Sequence, residues 1–530
     1  MMIRFRFFLL SSFCVFLSLP VFPQDRTEIK KEGLRTIFLE AESYFLFEEY
    51  EEAVGYYLQL HKAMPENSNI TYKLGRCYLH DPYRKARSVS YLKKAVADIS
   101  FDYKKSSFRE TKAPVDAIFY LGDAYLVTNQ FVLAEEAYQQ FLKAADPEEY
   151  DLLLVKERIA SVQRAEKQIN DPVFIIEEPL GENINDRFAQ NYPVVSGDGN
   201  SLVYSSELQF YDAVYYSRKV DGQWTAPINL IPMLRVDDLI YPTALNYDGT
   251  ELYLYRSDQY DGNLYVSFLE DSTWSEPLPL NDNINTKYWE SHASLSRDGQ
   301  TLYFTSNRPG GYGELDIYKA KRLGKTEWGI PENLGGRINS RHNDDSPFIS
   351  QDGKRLYFTS LGHNTMGGYD VFYALQDGNG NWEKPQNIGY PVNTTDDELF
   401  FCPGTNPYFG YMARFYPEHT YGLKDLYRVE IFNRHNPRPI MLSGTLNLED
   451  ELKEGTGELS VRVINPETNE IISEKTISDN QFTIETQSGP NKIIISGESI
   501  ETFTKEMDIP VNLQEPTISI TADLEKVHKG

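Results

Sequence analysis

Residues 291–318 read SHASLSRDGQTLYFTSNRPGGYGELDIY. On either side of Asp298–Gly299 apolar and polar residues alternate with period two, the signature of strands with one buried face. Asp-Gly between two such runs predicts a hairpin with a type I′ turn, which needs positive φ at both central residues. A third strand opens at Asp316 with Ile-Tyr, and a fourth short segment follows as WGIPENL from Trp328. Four antiparallel strands within about 50 residues make one small sheet.

The unit recurs along the chain. Residues 192–206 (YPVVSGDGNSLVYSS), 241–257 (YPTALNYDGTELYLYRS) and 346–373 (SPFISQDGKRLYFTSLGHNTMGGYDVFY) repeat the pattern around Asp198–Gly199, Asp248–Gly249 and Asp352–Gly353. A degenerate fifth copy, ELFFCPGTNPYFGYMAR at 398–414, has Pro403–Gly404 at the turn. The third strands open at Asp212, Asn263, Asp316, Asp370 and Asp425. The Asp at that position is expected to fix an inter-strand loop through its carboxylate. Trp224, Trp274, Trp328 and Trp382 begin the fourth segments, but the fifth unit has no such segment. Residues 173–185 (VFIIEEPLGENIN) match it without the Trp and precede the first unit, so they are expected to supply the last outer strand and close a ring. Pro-x-x-Ser-x-Asp-Gly followed by Leu-Tyr-Phe-x-Ser resembles the WD40-like repeats of the Tol-system propeller. That resemblance implies a five-bladed β-propeller over 171–435, with the Asp-Gly pairs as structural turns.

Upstream the period changes. LRTIFLEAESYFLFEEY and EEAVGYYLQLHKAMP at 34–65 read as two amphipathic helices with small and aromatic residues at Ala41, Tyr44, Ala53 and Tyr57. Leu74, Gly75, Tyr78, Ser88, Leu92 and Ala95 repeat the spacing, as do Leu121, Gly122, Tyr125, Ala134, Tyr138 and Phe141. The longer interval before the third unit makes 101–113 an insertion loop, and 148–168 a capping helix. These positions resemble tetratricopeptide (TPR) repeats. The resemblance implies an α-solenoid over 25–170 whose groove binds a peptide or protein, with the motif residues serving as core.

After His435, segments such as MLSGTLNLED, LSVRVINPETNEIISEKTI and QFTIETQSGPNKIIISG predict a small antiparallel β-sandwich over 436–530. The stretch resembles the carboxypeptidase regulatory-like module, which has no catalytic residues of its own. The fold expected is therefore multidomain α + β.

At the N-terminus Arg4 and Arg6 precede an apolar run from Phe7 to Phe22, which reads as a signal peptide over 1–24. Cys14 lies inside that run after Phe13, where a lipidation site wants a small residue, so it reads as an ordinary apolar-segment cysteine. Cys77 and Cys402 fall in different domains and are expected as buried thiols. No later apolar run is long enough for a membrane helix.

The net charge is −26, with 52 basic and 78 acidic side chains, a field that repels nucleic-acid phosphates. Residues 171–435 carry 21 basic and 37 acidic side chains, net −16. There is no GxSxG elbow, HExxH, Walker loop or GxGxxG after a strand, and the eight His are scattered. DGNGN at 377–381 mimics the start of a calcium loop but has Ile388 at its twelfth position, so it reads as a hairpin turn. No catalytic residue, cofactor or metal is expected.

Acidic residues recur just before the first strand of several repeats: Asp237, Asp238, Glu290, Asp344, Asp345, Asp396 and Asp397, followed by Glu398. Two readings stand. They are solvated loop charge of an acidic protein, or a negative collar at the channel mouth that receives a partner's basic segment or a cation.

Signal peptide, TPR, WD40-like propeller and regulatory-like module in this order resemble the periplasmic OmpA-family component of the type IX secretion system. In that family an OmpA-like peptidoglycan-binding domain follows. Residues up to Gly530 carry no such domain, so peptidoglycan binding is not expected. The resemblance implies a non-enzymatic scaffold, periplasmic or peripheral to the outer membrane, that binds an envelope protein through its TPR groove and propeller face. The alternative is a soluble envelope protein whose propeller recognises a glycan or peptide.

Overall fold

A computed structural model describes residues 31–236, 239–258, 261–416, 421–448 and 458–527. The signal-peptide reading and Asp237 and Asp238 lie outside the described residues.

Seven helices come first: α1 (Lys31–Leu46), α2 (Tyr50–Ala63), α3 (Ser68–Leu79), α4 (Arg87–Ala95), α5 (Ala117–Val127), α6 (Phe131–Ala144) and α7 (Leu152–Asn170). The first six pack as antiparallel pairs. Small residues set the spacing within a pair: a methyl on Gly75 would stand 2.7 Å from Leu92 Cγ, and one on Gly122 2.5 Å from Tyr138 Cε1. Ala41, Ala53, Tyr57, Leu92, Ala134 and Tyr138 are fully buried, as expected of core positions. Asp151 caps α7 by accepting from the backbone N–H of Leu153 at 2.9 Å and of Leu154 at 3.3 Å.

Five antiparallel sheets follow. Their innermost strands are Ala189–Val195, Ile240–Leu245, Glu290–Leu295, Asp344–Ile349 and Cys402–Pro403. The outer strand of the fifth sheet is Phe174–Pro179, which pairs with Tyr427–Phe432, Phe174 opposite Phe432. The chain thus returns to its start and closes the ring. Trp224, Trp274, Trp328 and Trp382 are all buried. Trp274 meets Tyr216 and Trp328 meets Tyr253 edge-on, each contact joining consecutive sheets.

The hairpin turns differ from expectation. Gly199, Gly249, Gly299 and Gly353 take positive φ (+66° to +77°), while the Asp before each does not. Each glycine N–H donates to the carbonyl three residues back, Gly299 to Ser296 at 2.8 Å. The Asp carboxylate accepts from its neighbours, Asp298 from Ser296 Oγ at 2.6 Å and Gln300 N at 3.0 Å. That bonding holds the Asp at negative φ and leaves one left-handed position, which glycine fills. The loop between second and third strands is fixed as anticipated, Asp316 accepting from Tyr312 N at 2.6 Å and Gly313 N at 3.0 Å.

The C-terminal strands form two sheets sharing one apolar core, in which Leu442, Ile484 and Ala522 of one meet Val461, Ile493 and Ile495 of the other. They are not wholly antiparallel: Pro439–Leu448 runs parallel to Thr517–Leu524, because the chain crosses through the second sheet between them. Arg438 joins this unit to the ring. Its guanidinium donates to Leu513 O at 2.5 Å and lies 4.6 Å over Phe174 of the closing strand.

Candidate functional site on the ring face beneath the helices

Three of the acidic positions singled out from the sequence are not solvated loop charge. Glu290, Asp344 and Asp345 have no exposed surface. Glu290 accepts from Thr286 N at 2.8 Å, Thr286 Oγ1 at 2.9 Å and Ser306 Oγ at 2.7 Å, with Arg308 Nη2 at 3.3 Å. Glu398 accepts from Thr394 N at 2.7 Å and Thr394 Oγ1 at 2.6 Å. Asp344 accepts from Ser340 N. In each case the acid, four residues after a Thr or Ser, clamps the loop that enters its sheet. Burial drives the Asp344 carboxyl up to about 7 and the Glu398 carboxyl up to about 8, against the hydrogen bonds that favour the charged form.

One residue before each Thr or Ser stands an Asn. Asn285, Asn339 and Asn393 accept at 2.8 Å from the backbone N–H of Leu264, Ile317 and Val371. They donate to the carbonyls of the same residues at 2.9, 3.0 and 2.8 Å. Asn185 does the same to Leu426 at 2.9 and 3.0 Å. This side chain pairs with a strand as a further strand would, and locks each connection to the sheet behind it. The signal was in the sequence as Ile/Val-Asn-Thr/Ser/Asp, then an acid or Gln four residues on: NINTKYWE, RINSRHND, VNTTDDE and NINDRFAQ. Reading the acids alone missed it.

Asp345 belongs to the ring's axis. Its Oδ1 lies 2.7 Å from His292 Nδ1 and accepts from Ser346 N at 2.7 Å. Burial works against the charge, but the His292 and Ser346 contacts outweigh it and hold the carboxyl below its ordinary range. Tyr192, His292 and Ser346, at irregular points of the innermost strands, and Phe400, two residues before the last of them, all take positive φ. The left-handed turns throw aromatic rings across the axis: Phe400 reaches Tyr192 at 4.3 Å and His292 at 4.7 Å, and Tyr192 reaches Tyr241 at 5.2 Å. The axis is stoppered at this level.

Asp396 does receive a cation, and it comes from this chain: the carboxylate pairs with Lys85, just before α4. Asp397 accepts from Tyr369 N at 2.9 Å. Around them α7 lies against the fourth sheet with one face. Glu157 takes Arg341 Nη2 at 2.7 Å and His342 Nε2 at 2.9 Å. Arg158 donates to Gly367 O, and Arg164 Nε donates to Thr365 O at 2.9 Å. Ser161 Oγ lies 3.4 Å from Thr365 Oγ1, Met366 is buried in the helical core, and Tyr83 meets Phe415 edge-on at 5.0 Å. Residues 157, 158, 161 and 164 fall on one side of a helix. The polar back of the capping helix is therefore a docking face.

Cys77 and Cys402 are free buried thiols, the latter pushed up to about 12 by burial. Among the described residues no three His, Cys, Asp or Glu side chains gather as they would to hold a metal ion. No described helix is long and apolar enough to cross a membrane.

No protein-family model matches this chain, and no curated protein sequence does. Among solved structures it is similar to TolB from Acinetobacter baumannii, at 17 % identity and a TM-score of 0.30, over 47 % of this chain and 55 % of that one. It is also similar to an α-L-arabinofuranosidase from Lactobacillus brevis, at 13 % identity and a TM-score of 0.34, over 51 % and 96 % of the two chains. The first TPR domain of human RPAP3 matches at 19 % identity and a TM-score of 0.19, over 25 % and 96 %.

Proposed function

We propose that this chain is a non-enzymatic protein-binding scaffold of the bacterial envelope. In this reading a TPR solenoid (25–170), a five-bladed β-propeller (171–435) and a small β-sandwich (436–530) make one platform. A leader over 1–24 would deliver it to the periplasm, where it would serve an outer-membrane or type IX secretion-like assembly. The observation that carries the reading is the docked face. The helices bind the ring through ion pairs from Lys85 and Glu157 and through carbonyl contacts from Arg158 and Arg164.

With the axis filled by Phe400 and His292, a binding role falls to the solenoid groove and to the exposed loops of the ring. The equivalent connections of the first and third sheets expose Phe210 (86 %), Tyr211 (45 %) and Tyr312 (58 %). Exposed aromatics of this kind favour a protein partner.

Photo-cross-linkers placed at Phe210 and Tyr312 in intact cells, read by mass spectrometry, test the proposal. A recurrent adduct with one envelope protein, in the periplasmic or outer-membrane fraction, is the expected result. Recovery in the cytosol with Met1–Phe22 intact would overturn it. A melting shift with a glycan and no protein adduct would favour the alternative ligand-binding reading.

A further inference from the structure

The insertion loop between α4 and α5 lies against the side of the solenoid formed by α1 and α3. Tyr103 Oη donates to Asn69 Oδ1 at 2.7 Å, and Phe108 meets Phe38 edge-on at 5.6 Å. The loop backbone adds two bonds: Asn69 N donates to Thr111 O at 3.2 Å and Asn67 Nδ2 to Glu110 O at 3.4 Å. With α2, α4 and α5 packed on its other sides, α3 is buried from Ser68 through Gly75, with no face left to water. A helix that should line an open groove is instead covered by the chain's own extended segment.

The cover is weakly held. None of residues 101–112 is fully buried, and none belongs to a helix or strand. Ser106 takes positive φ, +56°. The loop keeps its shape through Glu110, whose carboxylate accepts at 3.0 Å from the backbone N–H of Lys104, Thr111 and Lys112. Segments with few buried contacts are the ones that open locally.

The fit beneath it is incomplete. The Tyr103 phenol is pushed up by burial first and then by the charges of Glu42 and Asp116, with Arg76 acting the other way. Glu42 Oε2, Asp116 Oδ1, Asn69 Nδ2 and Arg76 Nε are buried without a hydrogen-bond partner. Two of these atoms accept and two donate, the set that the N–H and C=O groups of another peptide segment would satisfy.

We propose that residues 101–112 are a built-in occupant of the TPR groove. The groove's other ligand is then an extended peptide with two aromatic side chains spaced as Tyr103 and Phe108 are, four residues between them. This rests on reading the helices as a protein-binding module, and it names the kind of segment they take. The tethered occupant competes at an effective concentration on the order of millimolar, so an incoming peptide binds only by making better contacts.

The test uses the synthetic peptide FDYKKSSFRETK, residues 101–112, against two forms of the full chain. One is unaltered, and the other carries a Gly-Ser run of equal length in place of 101–112. The peptide should bind the Gly-Ser form at least about tenfold more tightly than the unaltered chain. A peptide with Tyr103→Ala and Phe108→Ala should lose that binding. Equal binding to both forms, or to neither, overturns the proposal. Should the Gly-Ser form fail to fold, hydrogen exchange on the unaltered chain decides: amides of 101–112 must exchange at least about tenfold faster than those of α3, and equal protection overturns it. None of these readings needs the envelope partner, so failure here is distinguishable from failure of the scaffold proposal.

Discussion

The phenyl ring of Phe400, which leads into the fifth sheet, stands 4.7 Å from the imidazole of His292 on the third. A side chain from one sheet that touches a non-neighbouring sheet has crossed the centre of the ring. Both residues sit at positive φ, a conformation that bulky side chains adopt only where the surroundings impose it.

Phe400→Ala would remove the stopper and leave a void lined by Tyr192 and His292. A loss of about 3–5 kcal/mol in urea unfolding is expected from truncating so buried an aromatic. An unchanged midpoint would mean that the rings do not support one another.

Asp345→Asn tests the buried carboxylate that faces His292. Replacing one partner of a buried hydrogen-bonded pair so that the other is left unsatisfied typically costs about 1–3 kcal/mol. The variant should therefore unfold earlier, whereas a surface collar residue would leave stability untouched. Differential scanning calorimetry of the single variant distinguishes the two.

Glu398 predicts the pH dependence of the ring. Its carboxyl is raised by burial from 4.5 to about 8, so the folded state holds a proton that the unfolded state has released. Its contribution to stability is then greatest below about pH 4.5 and falls as pH rises towards 8. The slope from this group is at most about 1.4 kcal/mol per pH unit. Glu398→Gln should flatten that part of the profile in denaturation curves between pH 5 and 9.

Glu157 has the opposite sign. Burial opposes its charge, but hydrogen bonds from Arg341 and His342 outweigh burial and lower its carboxyl below the ordinary range. Its contribution is present above the ordinary carboxylate pKa of about 4.3 and is lost as pH falls through the lowered value. The cluster is partly exposed, so salt should weaken it too. Glu157→Gln should raise hydrogen exchange at 341–343 and 365–367 at neutral pH, with α2 and α3 unaffected.

Local patterning carried most of the architecture. Period-two alternation around Asp-Gly marks a strand pair wherever it occurs, because one face of each hairpin must be buried. The helical positions Gly75, Leu92, Gly122 and Tyr138 announce close helix pairing for the same reason of packing. Ring closure by Phe174–Pro179 was legible as well, since a missing outer strand at one end matched a spare one at the other. Whether Glu290 or Asp344 meets water or a Thr or Ser four residues upstream depends on which way a loop turns, and charge counting is blind to that. The encounter of Lys85 with Asp396, 311 residues apart, and of Phe400 with His292 required the solenoid to fold back on the ring and the innermost strands to twist into left-handed conformations. The covering of α3 by residues 101–112 is of the same kind. Length alone marks an insertion, but only the packed helices decide that its two aromatic side chains turn inward, because the apolar and polar sites they fill do not exist until α1 and α3 have come together.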